Sequence, residues 1–409
     1  AGMDERSALR RAFDQTQRCD LLILGVLLHD VGKSKREEHI RCGVEMGEEL
    51  LVRMDLPEAD RLFVLFLIKH HQEMVMVSQQ RDLNDQKMIA DFAALFASED
   101  WLKALYLMSY ADLTAVAADA WSDWHGALLW ELYHKTEQQL QSGFQTLERR
   151  ELSRARLGED LHEVKGLWPP SKVMAFEQHA QKFPPRYLVT HERGEIEQHL
   201  QLVEKEERSG TQVEFARLPD RTQVLICTRD QPRMLSQICG VLAVNDINIL
   251  RADVNTRDDD VVIDVFQITD VDGSPEVPEH KQQRVRDHLV RVIEGAVEIE
   301  ELFSSYSAHW SRRKTGQLRR EPDVQFENKV SDSYTVIDVE TLDGVGVLYE
   351  ITHLLAVMGL DIHMAIVNTV VDRARDAFYV VDDQGQKIAN YEFLETVRES
   401  LIDTLSSNN

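Results

Sequence analysis

Residues 21–33 read LLILGVLLHDVGK, an apolar run that ends on the adjacent pair His29 and Asp30 and continues through Gly32 to Lys33. A run of this length is too short to span a membrane and predicts a buried helix. Gly32 is a stop signal for that helix. The sequence therefore predicts that an imidazole and a carboxylate stand together at the end of a core helix.

Three stretches further along the chain offer more imidazole or carboxylate side chains on predicted helices. They are the segment just after the His-Asp pair, the end of the apolar run 62–68, and the apolar stretch YADLTAV. A carboxylate on an apolar helix is costly to bury unless a cation compensates for its charge. We therefore predict a metal site, against the alternative of purely structural histidines, with the candidate ligands His29, Asp30, His39, His70, His71 and Asp112.

Helical patterns dominate the first third of the chain. Apolar residues recur at helical spacing in residues 43–54, 88–96, 101–118 and 124–140. No convincing strand precedes about residue 186. We predict an all-α helical bundle for residues 1–145. Residues 146–215 are predicted to be a connector with some helix, including Glu195–Glu207, in which two Pro-Pro pairs mark extended connections.

Two later segments repeat one order of elements, β-α-β-β-α. The string DQPRML from Asp230 matches DGVGVL from Asp343, and INILRADVNT from Ile247 matches LDIHMAIVNT from Leu360. DVF and DAF also correspond in the two segments. We predict two ferredoxin-like βαββαβ domains at residues 216–303 and 331–409, joined by a linker at residues 304–330, with Val297–Phe303 as the last strand of the first.

Composition narrows the classes of function. The 409 residues carry a net charge of −25, which repels phosphate backbones and makes general nucleic-acid binding unexpected. The sequence shows no membrane-spanning run, no secretory signal and no CxxC pair among its four cysteines. It also lacks GxxxxGK[ST], GxGxxG and GxSxG. A cytoplasmic protein without membrane contact is expected.

The pattern HD…H…HH…D resembles the HD superfamily of metal-dependent phosphohydrolases. That resemblance implies a first metal held by His29, Asp30 and Asp112. Asp30 would bridge to a second metal held by His39 and by His70 or His71. Two metals can lower the pKa of a bridging water and stabilise the phosphoryl oxygens, so few other acids or bases are needed.

The same resemblance assigns the remaining catalytic features. Lys33 matches the lysine of HDxGK sites, which can contact the phosphate or an attacking water, so Lys33 and Asp30 are the implied catalytic residues. The implied cofactor is a divalent metal, manganese or magnesium, with iron or zinc as alternatives. One departure is that the superfamily usually has a further histidine about one helix upstream, near where this chain has Arg6.

The order of HD domain, connector and two ACT repeats is similar to the C-terminal half of the bifunctional uridylyltransferase/uridylyl-removing enzymes of bacterial nitrogen signalling. HDVGKSKREEH from His29, KHHQEMVMVSQQRDLND from Lys69 and FPPRYLVTHERGEIEQH from Phe183 resemble segments of that family. The resemblance implies an HD domain that removes UMP from the PII signalling protein and ACT repeats that sense glutamine or another amino acid. ACT domains often pair edge to edge, which implies a homodimer.

In ACT domains an amino acid commonly binds beside the first strand–helix loop, where helix N-terminal amides meet a carboxylate. Family loops usually read DxPGLL, and Arg233 stands where the first loop here would have glycine. A tight turn is the alternative explanation for the two glycines of the second loop. The implied effector-binding residues are Asp230, Gln231, Asn248, Asp343, Gly344 and Gly346.

Two other functions fit the same residues. One is an HD hydrolase of a free nucleotide such as guanosine tetraphosphate, since stringent-response enzymes also combine HD and ACT domains. The other is a non-catalytic amino-acid sensor whose HD bundle is degenerate. No nucleotidyltransferase pattern is visible in this sequence, so transfer of UMP is not expected.

Overall fold

The computed structural model describes residues 5–33, 38–116, 123–142, 149–303, 321–344, 346–370 and 373–407. Contacts divide the chain into two compact units, residues 1–146 and 147–409. The first unit is helical, and the second combines helices with an antiparallel sheet. This confirms the predicted fold class, an all-α region followed by two α+β units of the ACT-like kind.

The helices of the first unit pack closely because small residues lie at their crossings. A Cβ on Gly25 would lie 2.7 Å from Leu67, and a Cβ on Gly47 would lie 2.8 Å from Ile68. Among the described residues, no helix is both long and apolar enough to cross a membrane. The helices are α1 (Glu5–Gln15), α2 (Cys19–Leu28), α3 (His39–Arg53), α4 (Glu58–His70), α5 (Glu73–Gln80), α6 (Gln86–Ala93), α7 (Glu99–Val116) and α8 (Asp123–Ser142).

The second unit begins with helices, and the helix Arg193–Ser209 covers the one predicted at Glu195–Glu207. The connector is more helical than its Pro-Pro pairs predict. Both Pro-Pro pairs open helices: Pro169 caps one that begins at Pro170, and Pro184 caps one that begins at Pro185. Proline suits a first helical position because its φ is preset and its missing N–H would have no partner there. These helices are α9 (Arg149–Val164), α10 (Pro170–Gln181), α11 (Pro185–Thr190) and α12 (Arg193–Ser209).

A single nine-stranded sheet spans both repeats, in the order β1-β2-β4-β3-β7-β9-β6-β5 with β8 paired to β9. All its pairs are antiparallel. The strands are β1 (Gln212–Arg217), β2 (Thr222–Arg229), β3 (Ile247–Thr256), β4 (Val261–Asp270), β5 (Asp323–Glu327), β6 (Thr335–Leu342), β7 (Asp361–Ile366), β8 (Thr369–Val370) and β9 (Arg373–Val381). The helices of the repeats are α13 (Met234–Val244), α14 (Glu279–Ile293), α15 (Val347–Val357) and α16 (Tyr391–Ser407).

The fourth strand of each repeat precedes the repeat instead of ending it. The predicted last strand, Val297–Phe303, is wrong, because residues 299–303 are helical. Ile299, Leu302 and Phe303 recur at i, i+3 and i+4, which is helical spacing, and Ile299 packs against Gly240. The edge beside β2 is filled by β1, and the edge beside β6 by β5, so strands lie in segments predicted as connector and linker.

The two repeats meet edge to edge about a local twofold axis. Strand β3 pairs with β7, and Ala252 lies opposite its repeat equivalent Ala365. Arg251 and Asp253 flank this seam and lie opposite Ile366 and Met364. The edge pairing expected between two chains thus occurs within one chain, and homodimer formation stays a prediction.

The sheet of the first repeat is covered on both faces. Val224, Ile226 and Phe266 belong to the core beneath α13 and α14. On the other face, Leu225, Cys227 and Ile263 pack against connector residues that include Phe176 and Tyr187. Strand β4 is therefore buried on both sides, and any polar side chain on it has to find its partner inside the protein.

Candidate metal centre

Two helices end side by side and present a histidine each. His29 follows α2, and His71 follows α4. Nδ1 of His29 lies 2.7 Å from the carbonyl oxygen of Val26, and Nδ1 of His71 lies 2.8 Å from that of Ile68. A carbonyl can only accept, so Nδ1 carries the proton in both rings. In a neutral ring this leaves the lone pair on Nε2, the form that binds metals.

These nitrogens face two carboxylates. Nε2 of His29 lies 3.2 Å from Oδ2 of Asp30 and 3.3 Å from Oδ1 of Asp112 on α7. Nε2 of His71 lies 4.0 Å from Oδ1 of Asp30. Neighbouring ligands that share an ion at 2.0–2.2 Å stand about 3 Å apart, so the spacing around His29 is that of ligands to one cation.

Four atoms of this cluster are buried and have no hydrogen-bond partner: His29 Nε2, Asp30 Oδ1, His39 Nε2 and His71 Nε2. The ring of His39, at the start of α3, lies 6.1 Å from the ring of His71. Unpartnered buried polar atoms are costly, and so many at one point indicate a missing shared partner. The donor set of imidazoles and carboxylates fits a divalent metal.

The described side chains do not yet form a complete metal site, since no group of three or more His, Cys, Asp or Glu has that arrangement among them. Lys33 instead supplies the cation, with its ammonium paired to Asp30. Burial works against ionisation of Asp30, but Lys33 and the neighbouring histidines outweigh it and lower the pKa of the carboxyl. Burial also lowers the pKa of His71, which keeps that ring neutral.

The structure separates the two adjacent histidines of the second segment. His71 is 1% exposed and lies in the cluster, whereas Nδ1 of His70 pairs with Glu73 and its ring packs on Phe66. Adjacent helical residues point about 100° apart, so only one of them can face the site. The side chain of Arg6 lies outside the described part of the chain, and the expectation about an upstream ligand stays untested.

Gly32 is a site residue, although the sequence pattern predicts it only as a helix stop. A Cβ there would lie 2.0 Å from the carbonyl oxygen of His39 and 2.5 Å from the amide nitrogen of Gly43. The turn after Asp30 therefore touches the backbone of α3 directly. This contact sets the position of His39, and an isolated glycine in the sequence gives no sign of it.

Five of the six predicted effector-binding residues lie in the two strand–helix loops, whereas Asn248 lies at the start of β3, at the opposite end of the strands from Asp230. Two of the side-chain amides are already hydrogen-bonded. Gln231 Nε2 donates to the carbonyl of Ile293 at 3.1 Å. Asn248 Nδ2 donates to the carbonyl of Asp270 at 3.3 Å. The conformation before each helix is left-handed, with φ of 66° at Arg233 and 89° at Gly346. Of the remaining predicted residues, Asp230 opens the first loop, and Asp343 and Gly344 open the second.

Comparison with known proteins agrees with this geometry. The HD domain family model matches residues 8–105, the region that holds the histidine cluster apart from Asp112. The chain is 31% identical over 402 residues to the bifunctional uridylyltransferase/uridylyl-removing enzyme of Rhodospirillum rubrum, covering 97% of this chain and 42% of that enzyme. This confirms the resemblance proposed from the sequence.

Two further relatives carry the same name. The enzyme of Rhodopseudomonas palustris is 31% identical over 391 residues, covering 95% of this chain and 42% of the relative. That of Bradyrhizobium diazoefficiens is 32% identical over 372 residues, covering 90% and 39%. The chain thus spans about two fifths of the length of the curated relatives it matches. No solved structure matches the chain.

Proposed function

The chain is homologous over most of its length to the C-terminal portion of bifunctional uridylyltransferase/uridylyl-removing enzymes, and from this premise we propose that it removes UMP from uridylylated PII protein. The coarser assignment, an HD-superfamily phosphohydrolase domain, follows from the family match at residues 8–105. The substrate, the metal and the regulation are the proposed part. The proposed setting is the cytoplasm, which agrees with four free cysteines.

One observation carries the proposal: four unpartnered buried atoms of His29, Asp30, His39 and His71 converge at the ends of three helices. A purely structural cluster would pair its own donors and acceptors. With Asp112 at 3.3 Å from His29, the set offers enough imidazole and carboxylate ligands for a divalent metal, manganese or magnesium in our proposal. A bound divalent metal would supply an activated water and neutralise phosphoryl charge.

The side chains of the protein supply position and charge. The carbonyls of Val26 and Ile68 fix the His29 and His71 rings with Nε2 facing the site. Lys33 is 63% exposed at its side chain, and its ammonium pairs with Asp30. It can therefore turn its ammonium toward a phosphodiester oxygen that enters from solvent. Asp30 is held ionised and keeps its lone pairs available.

We propose that the two paired repeats bind the amino-acid effector and that the connector helices respond to this binding. Arg186 on α11 is buried and donates to Asp253 Oδ1 at 2.8 Å, beside the seam between β3 and β7. The same guanidinium nitrogen lies 3.0 Å from the sulfur of Met364 on the other repeat. A ligand that shifts one repeat against the other would change these contacts and move α11.

The test is release of UMP from uridylylated PII protein, measured with the Asp112→Asn variant. Asparagine keeps the shape of the side chain but removes the charge that a metal requires. We expect wild-type chain with added manganese to release UMP and the variant to lose that activity. Asp91→Asn, on the exposed face of α6, is the matched control and is expected to keep it.

Other outcomes would replace the proposal. Turnover of guanosine tetraphosphate without release of UMP would support the free-nucleotide hydrolase. Absence of both activities, together with absence of bound manganese after dialysis against it, would support a non-catalytic sensor. Equal UMP release by the wild type and the Asp112→Asn variant would show that the cluster is not the site of hydrolysis.

A further inference from the structure

Two aspartates at equivalent positions of the repeats are buried in the sheet. Asp264 on β4 is 1% exposed, and Asp376 on β9 is 3% exposed. Each lies opposite a residue four positions before the strand–helix loop of its own repeat, Ile226 for Asp264 and Val339 for Asp376. In the sequence these aspartates begin DVF and DAF, which correspond in the two repeats. Their burial also makes them candidate ligand-binding residues.

Both side chains face the helices of the repeats. Side chains alternate along a strand, and the residues two positions away from Asp264, Val262 and Phe266, belong to the core beneath α13 and α14. Phe378, two positions after Asp376, belongs to the same core. Each carboxylate thus lies on the helix-covered face, near the strand end where the loop leads into α13 or α15.

Neither carboxylate has an adequate partner. Both oxygens of Asp264 are buried without a hydrogen-bond partner among the described residues, and the backbone amide of Asn255 is a group that favours the ionised form. Asp376 accepts one long bond, 3.4 Å, from the backbone amide of Asn368. Across the described residues, no lysine or arginine forms an ion pair with either one. A buried carboxylate without a cation is strongly disfavoured.

Nearby charges make a cation still more favourable there. Burial raises the pKa of Asp264 well above its usual range, and the charges of Asp230 and Asp361 raise it further. Asp361 belongs to the other repeat, so these three carboxyl groups come from both sides of the seam between β3 and β7. Burial also raises the pKa of Asp376 to about 8, and the charge of Asp343 adds to this effect. Asp230 and Asp343 belong to the loops predicted to bind an effector.

We propose that Asp264 and Asp376 receive the ammonium group of an α-amino acid effector, one in each repeat. The loop and the first turn of α13 or α15 would meet the carboxylate of the same ligand. A zwitterion thus finds a buried carboxyl group, which gives up its proton when the ammonium binds, and a helix N-terminus at opposite ends of one site. This inference deepens the amino-acid response proposed above and rests on it, but not on the hydrolase activity.

The two sites are not equivalent. Asp361 contributes a third carboxylate to the site of the first repeat, whereas its equivalent beside the second site is Asn248, by the alignment of Ile247 with Leu360. The first site also has Arg233 at its helix start, where the second has Gly346. We therefore expect two binding events of different affinity, with the ammonium required for both.

Binding to the full chain tests the inference without any assay of hydrolysis. The twenty L-amino acids are screened by thermal shift, and the best binder is titrated by calorimetry beside its des-amino analogue, which keeps the carboxylate and side chain. We expect the analogue to bind at least about tenfold more weakly, because a charge-assisted hydrogen bond is lost. Asp264→Asn and Asp376→Asn should each abolish one binding event.

The control is Asp383→Asn, in an exposed turn of the second repeat, which should bind like the wild type. The inference is overturned if none of the twenty amino acids binds, if the des-amino analogue binds equally well, or if both asparagine variants keep two events. If an asparagine variant fails to fold, the affinities of the wild-type chain for the amino acid and for its des-amino analogue still test the inference. Loss of hydrolysis with retained binding would count against the proposed function alone.

Discussion

The imidazole rings of His29 and His71 lie 5.2 Å apart, and each is oriented by a carbonyl three residues earlier in the chain. The C-terminal ends of α2 and α4 thus meet with both Nε2 atoms directed into one buried cluster. Sequence alone left open which of two adjacent histidines joins this cluster, and the contact between rings selects His71.

This relationship predicts opposite results for two neighbouring substitutions. His71→Gln should lose bound manganese and hydrolysis by more than the roughly 10–100-fold that loss of an outer-shell partner costs. His70→Gln should keep both within a fewfold, because His70 pairs with Glu73 outside the cluster. Metal analysis of both purified variants is the measurement. Equal metal loss in the two would contradict the assignment of His71.

Gly32→Ala should destabilise the first unit, because its Cβ would overlap backbone atoms of His39 and Gly43 that cannot rotate away. Such overpacking costs about 1–3 kcal/mol, and here the displaced backbone carries His39. The urea concentration at the midpoint of unfolding and the manganese content should both fall. The control is Gly158→Ala in helix α9, where a Cβ meets nothing within 4 Å. This substitution should stabilise the fold by about 0.5–1 kcal/mol. A neutral Gly32→Ala would show that the turn can move.

Arg233→Gly should raise the unfolding temperature of the second unit. Arg233 has φ of 66°, and a non-glycine residue in the left-handed region costs about 1–2 kcal/mol. Its repeat equivalent predicts the reverse: Gly346→Ala adds that strain and places a Cβ 3.2 Å from the ring of Phe303. Calorimetry of the two variants measures both effects. A destabilised Arg233→Gly would mean that the arginine side chain makes a contact worth more than the strain.

Asp376 predicts a pH dependence of stability. Its pKa is about 8 in the folded protein and about 3.9 when unfolded. Between these values the unfolded chain has released the proton that the folded chain keeps, so stability falls as pH rises. Asp376→Asn removes this loss, and its advantage over the wild type should grow from about pH 5 to about pH 8. The carboxyl of Asp343 raises the pKa of Asp376 and the backbone amide of Asn368 lowers it, and the charge of Asp376 in turn raises the pKa of Cys239.

Thermal unfolding at the two pH values, with Asp383→Asn as a matched exposed control, measures this difference. The control should track the wild type at both values. An advantage of Asp376→Asn that stays constant with pH would show that the carboxyl is ionised in the folded protein throughout this range.

Arg186→Met should destabilise the second unit and weaken the amino-acid response. Asp253 would lose one of its two arginine partners but keep Arg251, at 2.8 Å, so we expect a loss of about 1–3 kcal/mol, below the 3–5 kcal/mol of a fully orphaned buried charge. The control is Arg193→Met, whose ion pair with Glu163 is exposed. Its loss should lower the free energy of unfolding by less than about 1 kcal/mol. If regulation survives Arg186→Met unchanged, the seam contact does not couple the repeats to the connector.

Much of the fold could be read from local pattern. The helix over residues 21–28, the strand over 222–228 and the repeat offset between Ile247 and Leu360 all follow from periodicity and residue type, which are properties of neighbouring residues. The misplaced last strand of the first repeat shows the limit. A sheet edge needs only a strand of suitable register, and β1 and β5 supply it from outside the expected domain limits.

The sequence by itself determined the fold class, the two repeats and the set of residues able to bind a metal, because these depend on composition and spacing along the chain. Tertiary structure alone decided that His71 and not His70 joins His29, that Gly32 touches α3, and that Asp264 and Asp376 are buried without cations. These facts depend on which atoms meet when the elements pack together, where packing and desolvation act and local pattern carries no information.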